Sequence, residues 1–306
     1  MSKMEYLKNL PVAVLGGGAV GKTCAADIKL AGHEVRLYDV MPFAEKSLKD
    51  LDKTGILFDG IQRNRDCFER SGRAFIDIVT TDIEKAIKGA GHIVVSCGSW
   101  GHEAMFRAMI PYLEDGQVVN VFADNFGCLL LRRLMREMGC TKKVIVGGWS
   151  SAPYGTRLES IGKCVFPHVS AKYRAITLRG AALPMTDTDD FLEASKYLPC
   201  MDAVTNGDGP SKANTILDVD FANVNPVIHV PATILGVSTM ENWGVIFGGH
   251  DKTTYSMYSH GLCPSICEVQ YQFYNEEIAL AEAIGVGTPK YKKEMFFYLR
   301  EKYGVK

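Results

Sequence analysis

Apolar and polar positions alternate along this chain in two distinct rhythms. Residues 11–15 form a short apolar run, residues 19–31 carry apolar side chains at helical spacing, and residues 34–38 form a second apolar-rich run closed by Asp39. Short runs bounded by glycine, with a 3.6-residue pattern between them, predict strand, helix and strand. The rhythm continues. Residues 75–79, 92–97, 117–122 and 142–146 predict further strands, while 81–88 and 128–138 predict helices between them. Residues 42–73 read as a charged, irregular insertion, and the alternating runs 163–166 and 173–178 predict a terminal antiparallel pair. Strands that are apolar throughout, alternating with helices, predict an α/β fold built on a doubly wound parallel sheet. From Asn206 onward the pattern turns helical, with runs at 211–222, 264–285 and 290–303. The expected division is 1–200 for the α/β domain and 201–306 for a short, mainly α-helical second domain.

The first turn carries chemistry. Gly16-Gly17-Gly18-Ala19-Val20-Gly21 stands between the first predicted strand and its helix, and Asp39 follows 18 residues after Gly21. Strand, glycine turn, helix, strand and acid form the setting in which G-x-G-x-x-G binds a dinucleotide, as in Rossmann folds. Gly16 would allow the tight turn, Gly18 the approach of a pyrophosphate, and Gly21 the close packing of helix on strand. Ala19 and Val20 would offer free N–H groups at the helix start. A carboxylate at Asp39 can accept both ribose hydroxyls and would repel a 2′-phosphate, and Val40-Met41-Pro42 supply no cation, so NAD is favoured over NADP. A rival pattern overlaps. Residues 16–23 also satisfy G-x-x-x-x-G-K-[ST], with Lys22 for terminal phosphates and Thr23 for magnesium. The run leading to Asp124, which would supply the second acid of such a site, is broken by Asn120.

Composition then removes whole classes of function. The 306 residues carry 34 basic and 35 acidic side chains, a balance that gives nucleic-acid phosphates no basic cluster to meet. Hydrophobic residues at 47% and charged residues at 23% fit a folded globular chain. No run of ~20 apolar residues and no apolar signal core at the N-terminus are present, so a cytoplasmic protein is expected. The nine cysteines are scattered without a C-x-x-C pair, which predicts free thiols and no metal site.

Further candidates follow from position. Loops at the carboxyl ends of parallel strands line the ligand crevice of such folds, so residues 96–101, with Cys97 and Gly98, should face the cofactor. Trp100 and Trp149 each follow a predicted strand and are either packing or nicotinamide contacts. Residues 151–157 read as a polar loop, in which Arg157 is either a surface ion pair or a fork for a substrate carboxylate. His229 lies in an apolar run and is either structural or the proton carrier, for which its intrinsic pKa of ~6.5 is suited. His250 and His260 read as surface residues and His33 as structural. Lys212 is either a solvated charge or a rival proton donor.

Taken together, these residues resemble the opine (octopine/nopaline) dehydrogenase family over nearly the whole chain. The likeness rests on the GGGAVG turn, Pro153-Tyr154-x-x-Arg157, Asn225-Pro226-x-x-His229, and Tyr258-x-x-Gly261-x-x-Pro264-Ser265 before Asn275-Glu276-Glu277. The resemblance implies reductive condensation of an amino acid with a 2-keto acid such as pyruvate, through an imine and hydride transfer from NADH. It implies His229 as the catalytic residue, and Arg157, Asn125 and Tyr154 as substrate-binding candidates. In that family the carboxylate orienting the histidine lies further towards the C-terminus; either Glu241 or Asp251 takes its place, or it belongs to sequence beyond residue 306. Small-molecule partners are implied, with a homodimer as one option. Two alternatives stand beside this reading: a ketopantoate-reductase-like or hydroxyacid dehydrogenase using Lys212, and a catalytically silent NADH-binding module.

Overall fold

A computed structural model describes residues 2–60, 70–159, 167–248 and 254–287. The predicted helix at 290–303, the run 163–166, His250 and Asp251 lie outside the described residues. Contacts divide the chain into two units, one running to Asp220 and the other beginning at Phe221.

The first unit holds the Rossmann-type sheet. Its strands are β1 (Val12–Leu15), β2 (Val35–Tyr38), β5 (Ile78–Thr80), β6 (His92–Val95), β7 (Val118–Phe122), β8 (Ile145–Trp149), β11 (Arg179–Ala182) and β12 (Ser211–Lys212). They lie in the order β12-β11-β8-β7-β6-β1-β2-β5. The six strands from β8 to β5 run parallel, and β11 pairs antiparallel with β8 through Ala181 and Gly148. Both faces of β1, β6 and β7 are fully buried, which explains why these segments are largely continuous apolar runs instead of alternating, with His92 and Asn120 as buried polar exceptions. The order reverses around β1: the chain goes to β2 on one side and later to β6 on the other. That switch point opens a crevice at the strands' carboxyl ends.

A second sheet was not legible in the sequence. The charged insertion contains β3 (Ile56–Asp59) and β4 (Gly72–Ala74), and these join β9 (Tyr154–Glu159) and β10 (His168–Arg174) in the order β4-β3-β10-β9. The expected polar loop at 151–157 is therefore largely strand. Of the predicted run 173–178, only Tyr173 and Arg174 are strand, at the end of β10, whose antiparallel partner is β9. Helix Ala19–Leu30 packs against strands of both sheets, so Cys24, Ala25, Ala26 and Ile28 are all fully buried. Small residues around its circumference let two layers approach it. Helices His102–Met109 and Gly127–Glu137 cover the opposite face of the parallel sheet with Phe106, Leu131 and Leu134.

In place of the expected helix 211–222, a short edge strand is followed by helix Ile216–Asp220, whose start is tied down by Thr215 and Asp218. Asp218 Oδ2 accepts from both the backbone and the hydroxyl of Thr215.

The second unit is helical. Helix Asn225–Leu235 begins with Pro226 in its first turn, where the missing N–H costs nothing. It packs on helix Pro264–Ala283, and Gln270 Nε2 donates to Ile228 O at 2.7 Å. No helix among the described residues is long and apolar enough to cross a membrane.

Candidate functional site: a dinucleotide crevice

The crevice at the ends of β1, β2 and β6 has a volume of about 1110 Å³. Gly16, Gly17, Gly18, Lys22, Asp39, Ser96, Cys97 and Gly98 all line it. The sequence expectation for Gly16, Gly18, Asp39, Cys97 and Gly98 thus meets in one cavity, while Ala19, Val20 and Gly21 stand at the start of the helix behind it.

Each glycine position has a geometric cause. Gly16 has φ +115, which a side chain would strain, and its N–H donates to Tyr38 O at 2.8 Å. A Cβ at Gly21 would stand 1.8 Å from Gly16 O, so the helix can meet the turn only through glycine. Gly18 is different. A Cβ there would meet nothing within 4 Å, so its exposed backbone faces open space at the N-terminus of the helix. That opening is where an anionic group would meet free N–H donors.

Asp39 is held in place for an acceptor role. Val40 N donates to its Oδ1 at 2.9 Å and Ser47 Oγ donates to its Oδ2. Each carboxylate oxygen keeps a further acceptor site for a ribose hydroxyl. Ser47 was missed at the sequence level, since an isolated serine eight positions on in a charged stretch carries no pattern.

Lys22 and Thr23 settle the rival phosphate-loop pattern. Lys22 Nζ turns inward to donate to Gly17 O, and burial lowers its pKa to about 8 against the opposing pull of Asp39. Thr23 is fully buried, with its Oγ1 2.8 Å from Ala19 O and 2.6 Å from Thr156 Oγ1. A hydroxyl consumed between a helix and β9 has no route to a magnesium ion. The glycine turn therefore has the geometry of a dinucleotide site and lacks that of a magnesium-triphosphate site.

The other candidates stand in different surroundings. Tyr154 is buried, its hydroxyl donating to Asp27 and its ring lying 5.2 Å from the Arg174 guanidinium, the setting of a packing residue. Trp149 is fully buried, stacked on Phe191 at 4.8 Å with Nε1 donating to Asn120 Oδ1, which removes it as a nicotinamide contact. Arg157 is exposed on β9, and its neighbour Leu158 lines the crevice. Lys212 is exposed on an edge strand and paired with Asp189 at 2.5 Å. Burial pushes the Cys97 thiol up to about 11, so it lines the crevice as a neutral thiol.

Asn125 belongs to an unusual loop after β7. Ala123, Asn125 and Phe126 all adopt positive φ, at 57, 45 and 62. Such a run costs free energy and persists only when its surroundings hold it. Here two buried carboxylates do so. Asp124 Oδ1 accepts from Cys128 N at 2.9 Å, and Asp220 Oδ1 accepts from Phe126 N at 2.7 Å. Burial raises both carboxyl groups above the usual range, Asp220 to about 9 with Asp124 adding to the rise.

In the second unit, His229 is half-buried on helix Asn225–Leu235 and meets Tyr258 edge-on, with ring centroids 5.8 Å apart. Both rings come from segments on which the family resemblance was read. Glu241 is exposed at the end of helix Val237–Glu241. His260 Nδ1 accepts from Ser256 N at 3.0 Å and its ring stacks on Trp243, a turn-stabilising arrangement.

Residues 212–305 match the family model for the NAD/NADP octopine/nopaline dehydrogenase alpha-helical domain. An opine dehydrogenase from Arthrobacter sp. (strain 1C) is 28% identical over 295 residues, which cover 95% of this chain and 72% of that protein. Among solved structures, octopine dehydrogenase in complex with NADH and agmatine aligns over 96% of this chain and 70% of its own, at 20% identity and a TM-score of 0.66. A PanE/ApbA family ketopantoate reductase from Ralstonia eutropha JMP134 aligns over 95% of this chain and 79% of its own, at 16% identity and a TM-score of 0.58. The last two likenesses speak for the fold. The chain is thus similar to the opine dehydrogenases, with a Rossmann-type sheet in its first unit and residues 212–305 matching the model of their alpha-helical domain.

Proposed function

We propose that this chain is an NADH-dependent opine dehydrogenase-like oxidoreductase that joins an amino acid to a 2-keto acid such as pyruvate. The observation that carries the cofactor reading is the open face at Gly18, set in one crevice with the anchored carboxylate of Asp39. These residues fit a dinucleotide: the helix start and glycine backbone suit a pyrophosphate, and Asp39 suits an unphosphorylated ribose. When bound, NADH supplies a hydride. Ala19, Val20 and Gly21 would orient the diphosphate, and Cys97 and Gly98 would bound the crevice on the β6 side.

The substrate chemistry is proposed from the relatives. Amine and keto acid condense to an imine with loss of water; hydride adds to the imine carbon and a proton to nitrogen, giving a secondary-amine dicarboxylate. His229 would give a proton to the departing keto oxygen during condensation and accept the amine proton in the reverse direction. Its half-buried ring, edge-on to Tyr258, is compatible with a held orientation. Arg157 and Asn125 are proposed carboxylate partners, Asn125 on the strength of its strained loop at the end of β7.

A paired substitution tests the proton carrier. His229→Ala should lower kcat by ~10²-fold or more while leaving NADH affinity intact. Lys212→Ala should leave turnover near that of the parent, because Lys212 is occupied at the surface by Asp189. Near-normal turnover in His229→Ala, or its loss in Lys212→Ala, would transfer the role to the lysine and favour the ketopantoate-reductase-like chemistry.

A further inference from the structure

The lip of the crevice carries large apolar side chains that bury little against the protein. Met41 and Phe43, just past β2, are 52% and 53% exposed, and Trp100, just past β6, is 78% exposed. All three line the crevice. Leaving an indole and a phenyl ring in water forgoes roughly 25 cal/mol for each Å² of apolar surface, so their placement is not explained by folding alone.

Their arrangement is specific. The Phe43 and Trp100 rings meet across the mouth of the crevice with centroids 5.6 Å apart and planes tilted by 56°. Gly98 makes room for the indole: a Cβ there would stand 2.6 Å from Trp100 Nε1. Any other residue at position 98 would push the ring away from the crevice. The two rings come from opposite sides of the switch point. Phe43 follows the strand that ends in Asp39, and Asp39 marks where a ribose would bind.

A flat base attached to that ribose would continue along the lip, past Asp39 and towards residues 41–43. Nothing polar among Met41, Pro42 and Phe43 side chains would read the edge of such a base, whereas two rings offer it faces. Lys46 and Lys49 also line the crevice and would stand nearer to charged groups than to a neutral base.

We propose that Trp100 and Phe43 form an aromatic clamp for the adenine ring of the dinucleotide, with Gly98 as the relief that lets the indole fold over it. The clamp rests on the dinucleotide reading of the crevice. In it Trp100 supplies one stacking face, Phe43 the facing wall, and the tilted contact between them opens to admit the base. This places Trp100 on the adenosine side of the crevice, away from the nicotinamide role considered from the sequence.

The test uses the whole chain and two probes that contain adenine or lack it. ADP-ribose carries the adenine half, and reduced nicotinamide mononucleotide carries only the other half. In the parent, ADP-ribose should quench the part of the tryptophan emission that comes from exposed Trp100, Trp149 and Trp243 being buried, and this quench should be absent from Trp100→Ala. Trp100→Ala should weaken ADP-ribose and NADH binding, measured by calorimetry, by ~10-fold, in the range of base–aromatic stacking, and leave reduced nicotinamide mononucleotide unaffected. Trp100→Phe should recover most of the affinity, and Gly98→Val should reproduce the loss. Unchanged affinity of Trp100→Ala for ADP-ribose, or an equal loss for both probes, would overturn the clamp. If the unaltered chain binds neither NADH nor ADP-ribose, the dinucleotide reading itself falls, and the clamp with it.

Discussion

Replacing Asp27 by alanine is expected to lower the unfolding free energy by ~3–5 kcal/mol. Asp27 is fully buried on helix Ala19–Leu30, and three side chains converge around it. Arg174 reaches its two oxygens with both terminal nitrogens at 3.1 Å, Arg70 Nε donates to Oδ1 at 2.7 Å, and the Tyr154 hydroxyl donates to Oδ2. Arg70 is shared with Asp202 at 2.8 Å. Arg174 is only 1% exposed, so loss of its carboxylate leaves a cation that water cannot reach. The penalty is that of an uncompensated buried charge, which exceeds the value of the pair itself. Asp189→Ala provides the contrast. Its partner Lys212 is solvent-exposed, and the change should cost no more than ~1 kcal/mol. Urea denaturation of both variants measures the difference. Equal, small shifts would mean that the buried network contributes little.

The second large effect concerns pH. Burial raises the folded-state pKa of Asp220 to about 9, well above an unfolded carboxyl at ~3.9. The folded state therefore holds this proton more tightly than the unfolded chain. The stabilisation from protonation is complete below the unfolded value and declines as pH rises towards 9. By linkage, the cost at pH 7 amounts to about 4 kcal/mol at most, since three pH steps each contribute ~1.4 kcal/mol. The groups facing this carboxyl are Asp124, itself raised by burial, and the Cys128 thiol, which burial holds neutral. Asp220→Asn removes the titration and keeps an oxygen for Phe126 N. It should flatten the stability profile between pH 5 and 9 and match or exceed the parent at pH 8. A steep slope retained in Asp220→Asn would assign the titration elsewhere.

Legibility differed sharply between the two halves of the site. The turn at Gly16–Gly21 and the acid at Asp39 were readable because each performs a backbone or electrostatic task that few residue types can perform. The parallel strands were readable because burial on both faces leaves an apolar run. The second sheet was not. Strands β3 and β4 lie in a charged stretch, and the register of β3 with β10 joins residues more than a hundred positions apart, such as Phe58 and Val169. No local periodicity reports such a pairing. Tyr154 and Trp149 were ambiguous for a related reason. A polar tip beside a strand end looks like a ligand contact until long-range partners, Asp27 and Asn120, are seen to satisfy it. Trp100 shows the reverse case, an aromatic whose role emerges from what it leaves exposed.

We propose that this crevice serves a two-substrate reduction. It is tested most directly by following NADH oxidation by the unaltered chain with keto acids, pyruvate first, crossed against a panel of amino acids. The account predicts turnover that requires both partners together and yields a secondary-amine dicarboxylate. Rapid NADH oxidation with a keto acid alone, unaffected by any amine, would contradict it.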